Sequence, residues 1–199
     1  MSRRVDPALR RQQVIEAAFR LLVVEGIGSV SLRKVADESG MNVGSVRHYF
    51  GSHEELLIAV AGEAGDRMGA RLAKHPASAL RGLMGTAAVA GLQELVEDVL
   101  PLDADRREEA IVVTELIMAS RTMPVFAATV GQMGEDLVTV LEEALAALGS
   151  QAPRTNAQQI AAFIAGLTVD MITPHGSAAS MDTRALLGSF LTGLLAAGR

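Results

Sequence analysis

Apolar residues recur along most of this chain at intervals of three and four positions, the spacing of one buried face of an α-helix. The first such stripe consists of Val14, Ala17, Ala18, Leu21 and Leu22. Asp6 followed by Pro7 is typical of a helix start, and Gly26 is typical of a helix end. The pattern therefore predicts a helix that begins at Pro7 and ends just before Gly26.

Two short helices are predicted next, separated by only three residues. Ser31 is suited to cap a helix over 32–39, and Asn42 is suited to cap a helix over 43–49. The connection contains Gly40, the residue type that best tolerates a left-handed backbone. Helices joined so closely must cross steeply, and this arrangement is a helix-turn-helix. The side chains available to fill the angle are Val35, Ala36, Met41 and Val46.

Further helices are predicted over the rest of the chain. A capping box from Ser52 to Glu55 opens a fourth helix, which runs to about residue 74. Prolines and glycines separate the later helices, predicted at roughly 77–99, 103–122, 124–148, 155–173 and 182–197. The apolar residues are mostly Ala, Leu, Val and Met rather than aromatic, which favours helix over strand. We expect an all-α fold.

Composition limits the class of protein. The chain has 199 residues, of which 49% are hydrophobic, enough for one or two small domains with a sizeable core. The absence of cysteine excludes disulfides, thiolate metal sites and a cysteine nucleophile. The first residues lack the apolar run of a secretory signal, and the longest uncharged apolar stretch, 82–92, is well short of the ~20 residues that span a bilayer. We expect a cytoplasmic protein that has no membrane segment.

Charge divides the chain into two parts. Residues 1–53 hold eight lysines and arginines against five acidic residues, whereas residues 54–199 hold ten against eighteen. A basic segment joined to an acidic remainder favours a local phosphate-contacting surface on the basic segment. We therefore predict a DNA-binding domain over 1–53 and a second helical domain over 54–199.

The second helix of a helix-turn-helix lies in the major groove, so its exposed face must offer groups that reach bases and phosphates. Arg47 is suited to a bidentate contact with guanine, Ser45 to a hydrogen bond, and Gly44 to close approach. Arg33, on the preceding helix, is a second candidate for base contact. The full set of candidates is Arg33, Lys34, Asn42, Val43, Gly44, Ser45, Arg47, His48, Tyr49 and His53. Phosphate contacts are expected from Lys34, Asn42, His48, Tyr49 and His53.

The segment 30–57, VSLRKVADESGMNVGSVRHYFGSHEELL, resembles the signature of the TetR family of transcriptional regulators. The matching positions are Ser31, Ala36, Gly40, Gly44, the pair Tyr49 and Phe50, and the acid-then-leucine opening of the fourth helix. The chain departs from the family pattern at Arg47, where tyrosine is usual, and at His53, where lysine is frequent. The resemblance implies an N-terminal three-helix DNA-binding domain with a helix-turn-helix and a C-terminal helical domain for ligand binding and dimerisation. The implied function is that of a repressor without a cofactor.

The last two predicted helices carry clear apolar stripes. One stripe consists of Leu186, Leu187, Phe190, Leu191, Leu194 and Leu195, and the other of Ile160, Phe163, Ile164, Leu167 and Met171. Nearby small residues, Ala161, Ala165, Gly188 and Gly193, would permit close helix approach. These stripes fit an intramolecular core, and the family resemblance implies a homodimer interface built from the two helices of each subunit. Such a dimer would bind a palindromic double-stranded DNA operator.

The middle helices are rich in methionine, which adapts to irregular cavities, and contain a few polar groups suited to orient a ligand. The resemblance implies an effector pocket in this region for a small, apolar molecule whose binding releases the protein from DNA. The candidate ligand-binding residues are Met84, Thr114, Met118, Arg121, Phe126 and Phe163. Ordinary core packing is the alternative for each of them.

Three other interpretations remain open from the sequence. An enzyme has little support, because the chain contains no phosphate-binding glycine loop, and its four histidines have no partners at motif spacing. A helical dimer that does not bind DNA, such as a lipid carrier or an adaptor, conflicts with the basic segment 1–53. An activator would use the same fold as a repressor. The pair His48 and His53 is too isolated to predict a metal site.

Overall fold

A computed structural model describes residues 6–175 and 182–197. Within these residues the regular structure is helical throughout, with three short 3-10 helices and no strand. The α-helices are α1 (Pro7–Glu25), α2 (Leu32–Ser39), α3 (Val43–Tyr49), α4 (His53–Leu72), α5 (Gly85–Glu97), α6 (Ala104–Ser120), α7 (Ala127–Ala147), α8 (Pro153–Ile172) and α9 (Thr183–Ala197). The predicted all-α fold is confirmed. No helix in the described part of the chain is both long and apolar enough to cross a membrane.

The helices form two compact units. The first unit contains the described residues up to Gly65 together with Ile111–Val130, and the second contains Asp66–Ala110 and the described residues from Gly131 onward. Three helices, α4, α6 and α7, therefore contribute residues to both units. The predicted functional division after residue 53 stays a prediction.

The core of the first unit is built on α1. The buried residues of this helix are Val14, Ile15, Ala17, Ala18, Phe19 and Leu22. They include the predicted stripe except Leu21, which is half-buried. The predicted helix start is confirmed, because Asp6 Oδ1 accepts a hydrogen bond from the Ala8 amide at 2.9 Å. At the other end, Gly26 has φ of 79°, a conformation that favours glycine.

The helix-turn-helix forms as predicted. The hydroxyl of Ser31 accepts a hydrogen bond from the Lys34 amide at 3.2 Å, and Asn42 Oδ1 accepts one from the Ser45 amide at 2.7 Å. Gly40, which ends α2, has φ of 67° in the left-handed region. The side chains predicted to fill the angle do so: Val35, Ala36 and Val46 are buried, and Met41 packs against the same core.

One predicted helix begins later than expected. The sequence predicted a continuous helix over 77–99, but residues Ala77–Leu80 form a 3-10 helix and α5 begins only at Gly85. Gly82 and Gly85 have positive φ values of 77° and 56°, which interrupt the right-handed helix. Similarly, Pro124–Phe126 form a 3-10 helix before α7 rather than its first turn.

In the second unit, α8 and α9 pack by the apolar stripes predicted for them. Leu187 and Leu191 of α9 and Ile160 of α8 are completely buried. The rings of Phe163 and Phe190 stack at 4.1 Å between centroids. Of the small residues expected to permit close approach, Gly188 lies against α5, since a Cβ there would be 3.0 Å from the side-chain oxygen of Gln93.

An ionic network joins the end of α4 to α6 within the second unit. The guanidinium of Arg71 forms two parallel hydrogen bonds with the carboxylate of Glu109, the shorter at 2.6 Å. Glu109 is buried, so this bidentate pair satisfies a charge that would otherwise be costly to hold there. The side chain of Arg71 also donates to the carbonyl of Asp98, after the end of α5. The start of α6 is thereby held to its neighbours.

Candidate nucleic-acid interface

The helix-turn-helix presents one face of α3 to solvent. Val46 is completely buried and directs this side of the helix into the core. On the other side, Gly44, Arg47 and His48 are exposed, and Val43, Ser45 and Tyr49 are half-buried. All six predicted contact residues of α3 therefore keep surface available for a partner.

Two arginines belong to this surface, one on α2 and one on α3. Among the described residues, neither Arg33, near the start of α2, nor Arg47 forms an ion pair or a hydrogen bond. Both side chains are exposed. Their guanidinium donors are therefore available for guanine edges or phosphates without breaking an existing contact.

Lys34 differs from these arginines because it is already paired. Its Nζ lies 2.6 Å from the carboxylate of Glu25, and nearly half of each side chain is exposed. An exposed pair of this kind contributes only about 0–1 kcal/mol, so exchange of Glu25 for a phosphate would cost little. The phosphate contact predicted for Lys34 stays a prediction.

Asn42 and Gly44 each have a local structural role besides the DNA contact predicted for them. Oδ1 of Asn42 is engaged with the Ser45 amide, which leaves the side-chain NH₂ of Asn42 as its free donor. A Cβ at residue 44 would lie 3.2 Å from Asn42 Oδ1. Glycine at this position therefore avoids crowding the cap of α3, in addition to the close approach to DNA predicted for it.

The aromatic end of α3 and the start of α4 form the next part of the surface. The rings of His48 and Tyr49 meet edge to face at 5.4 Å. Nε2 of His53 is buried and makes no hydrogen bond within the described residues. In this conformation only the other ring nitrogen of His53 is left for the predicted phosphate contact.

Carboxylates occupy much of the amino end of α4. The Ser52 hydroxyl accepts a hydrogen bond from the amide of Glu55, which is one half of the predicted capping box. The carboxylate of Glu55 accepts from the amide of Gly51, one residue before the position that the box requires. Hydrogen bonds from its own backbone amide and from Ser52 hold the pKa of Glu54 below its ordinary value. The amides of Gly51 and Glu55 are therefore already satisfied within the protein.

One contact of this surface was missed by sequence reasoning. The guanidinium carbon of Arg11, on α1, lies 4.8 Å from the ring centroid of Phe50, the residue that follows α3. Phe50 is completely buried. A contact between residues so far apart in sequence has no local signal, because it depends on how α1 packs against the end of α3.

The six predicted ligand-binding residues are distributed over both units. In the first unit, Phe126 is part of the core, Thr114 is half-buried, and Met118 and Arg121 are exposed. In the second unit, Met84 is 70% exposed and Phe163 stacks on Phe190. Phe126 and Phe163 thus have clear packing partners, and the role of all six in binding a ligand stays a prediction.

Comparison with known protein families identifies both parts of the chain. Residues 14–60 match the family model described as bacterial regulatory proteins of the TetR family. Residues 88–196, more than half of the chain, match the model described as the C-terminal region of BetI-type transcriptional repressors. The first match contains α2 and α3, and the second contains α8 and most of α9.

A curated relative and two solved structures are similar over longer stretches. The transcriptional repressor AcnR of Corynebacterium glutamicum is 28% identical over 122 residues, which cover 61% of this chain and 56% of AcnR. The chain thus matches about half the length of that relative. A transcriptional regulator from Rhodococcus sp. Rha1 has the same fold, with a TM-score of 0.78 and 23% identity over 94% of this chain and 95% of that one.

The second solved structure is the multidrug binding protein EbrR in complex with imidazole. It has a TM-score of 0.70 and 26% identity, and the alignment covers 98% of this chain and 93% of EbrR. The helix-turn-helix lies within the residues that match the first family model, and both family models describe transcriptional regulators. The chain belongs to the TetR family of bacterial transcriptional regulators, a family of DNA-binding regulators and not of enzymes.

Proposed function

We propose that this regulator is a repressor that binds a palindromic operator as a homodimer and is released from it by a small, apolar ligand. Residues 1–53 would bind the DNA, and residues 54–199 would bind the ligand and form the dimer. The observation that carries the proposal is the exposed face of α3, where Arg47 forms no ion pair or hydrogen bond with any described residue. The similar protein AcnR is named a repressor, which supports this direction of regulation.

A dimer is supported by the surface that one helix-turn-helix offers. The seven residues of α3 are too few for tight, specific binding by a single copy, whereas two copies would contact successive major grooves about 34–36 Å apart. The last two helices retain exposed small and apolar residues that a second copy would cover: Ala162, Ala165, Gly166, Val169, Gly193 and Ala196. We therefore propose α8 and α9 as the dimer interface.

A ligand is supported by two observations. Met118 in α6 is 64% exposed, with Thr114 one turn before it and Arg121 just beyond the helix, so an apolar side chain lies between polar ones. EbrR, which is similar to this chain over nearly its whole length, is a multidrug binding protein. Titration of apolar compounds into the operator complex tests this part, and release by none of them would contradict it.

The DNA-binding part is tested by selection from a pool of random duplexes over several rounds at moderate salt. We expect a palindrome to be enriched. With Arg47→Ala, specificity should relax at one symmetric position, because loss of a bidentate contact to guanine removes about 1–3 kcal/mol of discrimination.

Arg20→Ala is the matched control, because it removes an equal charge from an exposed arginine of the same unit that is already paired with Glu38. The control should enrich the same sequence as the original protein. If no sequence is enriched by the unaltered protein, the proposal of a DNA-binding regulator is wrong for this chain, and a helical dimer without DNA becomes the better interpretation.

A further inference from the structure

Arg11, an exposed cation on α1, lies against the residue that follows α3, the helix proposed to enter the major groove of DNA. The guanidinium of Arg11 packs on the ring of Phe50 at a distance of 4.8 Å, within the range of a cation–π contact. Arg11 itself is exposed on α1, whereas Phe50 is completely buried immediately after α3. The contact fixes the charged group of α1 relative to α3.

The ring holds Arg11 without using its hydrogen-bond donors. Within the described residues Arg11 forms no ion pair and no hydrogen bond, in contrast to Arg10, which donates to Gln13, and Arg20, which is paired with Glu38. A planar guanidinium has five N–H donors in a fixed fork, which matches the oxygens of a phosphate. Arg11 is thus held in place with all its donors available.

The position of Arg11 suits a contact with the sugar-phosphate backbone, and not with the base edges inside the groove. In a helix-turn-helix the first residues of the recognition helix contact base edges, so the other end of that helix lies nearer the sugar-phosphate backbone. Phe50 marks that end of α3. We propose that Arg11 binds a backbone phosphate at the edge of the groove that α3 occupies, and that Phe50 positions its guanidinium. The inference rests on the proposed DNA-binding function.

The test compares two substitutions that each remove one positive charge. Arg11→Leu keeps apolar cover over Phe50 but loses the guanidinium, and Arg81→Leu removes a charge from an exposed arginine of the second unit. Binding is measured by fluorescence anisotropy over a range of salt, with the duplex enriched in the selection and with a mixed-sequence duplex of equal length. Arg11→Gln is a second variant in case leucine disturbs folding.

For Arg11→Leu we expect affinity to fall about tenfold at moderate salt on both duplexes, because a lost charge-assisted contact to phosphate weakens binding to any sequence. The slope of log K against log salt should become shallower by about 0.9 for each bound subunit. Arg81→Leu should leave the slope unchanged. An unchanged slope for folded Arg11→Leu and Arg11→Gln, or an equal change for Arg81→Leu, would overturn the inference. If the unaltered protein binds neither duplex, the proposed function is overturned as well.

Discussion

The cations of the first unit differ in the partners that they already have. Arg33 and Arg47 form no ion pair within the described residues, while Arg20 and Lys34 are paired with Glu38 and Glu25. A cation without a protein partner loses only solvent when it meets DNA, whereas a paired one must also give up its carboxylate. This difference makes Arg33 and Arg47 the better candidates for base contact and leaves Lys34 suited to an exchangeable phosphate contact.

Glu115 provides a prediction at the scale of a single residue. Its carboxylate accepts a hydrogen bond at 3.1 Å from the amide of Ile27, the residue after Gly26. Glu115→Leu would leave this part-buried amide without an acceptor and should lower the free energy of unfolding by about 1–3 kcal/mol. Chemical denaturation followed by circular dichroism measures the change.

The control for this prediction is Glu115→Gln, which keeps an acceptor oxygen at a similar position. It should retain most of the stability that the leucine variant loses. Equal destabilisation by both substitutions would mean that the negative charge matters, and no destabilisation by either would mean that the contact with Ile27 contributes nothing.

At the scale of elements, the starts and ends of the early helices were predictable because their signals are local. Asp6, Ser31 and Asn42 each bind an amide within the next three residues, and Gly40 takes up the left-handed conformation at its own position. A side chain that satisfies a nearby amide can be identified from sequence alone. The helix-turn-helix and its exposed face followed from these signals.

Other features of the elements were not predictable. The segment 77–84 has apolar residues and no internal proline, so nothing in its periodicity showed that Gly82 and Gly85 would adopt positive φ values. The cation–π contact of Arg11 with Phe50 and the stacking of Phe163 on Phe190 depend on packing between distant segments. Likewise, the sequence did not separate exposed Met118 from buried Phe126 among the predicted ligand-binding residues.

The start of α6 provides a prediction on how the stability of the protein depends on pH. Asp103 accepts hydrogen bonds from the Arg106 amide at 2.8 Å and from the Arg106 side chain at 2.7 Å. The amide bond, and to a lesser extent the guanidinium, hold the pKa of Asp103 below its ordinary value. A carboxylate with a lowered pKa in the folded state contributes stability above its unfolded pKa, near 3.9, and this contribution is lost as pH falls through the folded value.

Asp103→Asn keeps a capping oxygen but does not titrate, so it isolates this effect. We expect the stability difference between the original protein and the variant to be constant from pH 7 to about pH 5, and to shift in favour of the variant below about pH 4. Urea denaturation at several pH values measures it. Asp105→Asn, two residues further along the chain, is the control, and a similar pH dependence for both variants would contradict the assignment.

At the scale of the whole molecule, the protein carries a net charge of −5, which by itself disfavours binding to DNA. Residues 1–53, however, hold eight lysines and arginines against five acidic residues, which supports a local phosphate-contacting surface in that segment. In the proposed dimer this basic surface occurs twice, and the two copies share one operator. Affinity and specificity would then both depend on the presence of two half-sites.

Sedimentation of the protein with the duplex enriched by selection is the most direct test of this account. We predict a complex of two chains per duplex, and a duplex in which one half-site is scrambled should bind at least about tenfold more weakly, since each mismatched base pair costs about 1–3 kcal/mol. A complex with one chain that binds both duplexes equally well, or no complex at any ratio, would contradict the account of a dimeric, palindrome-reading regulator.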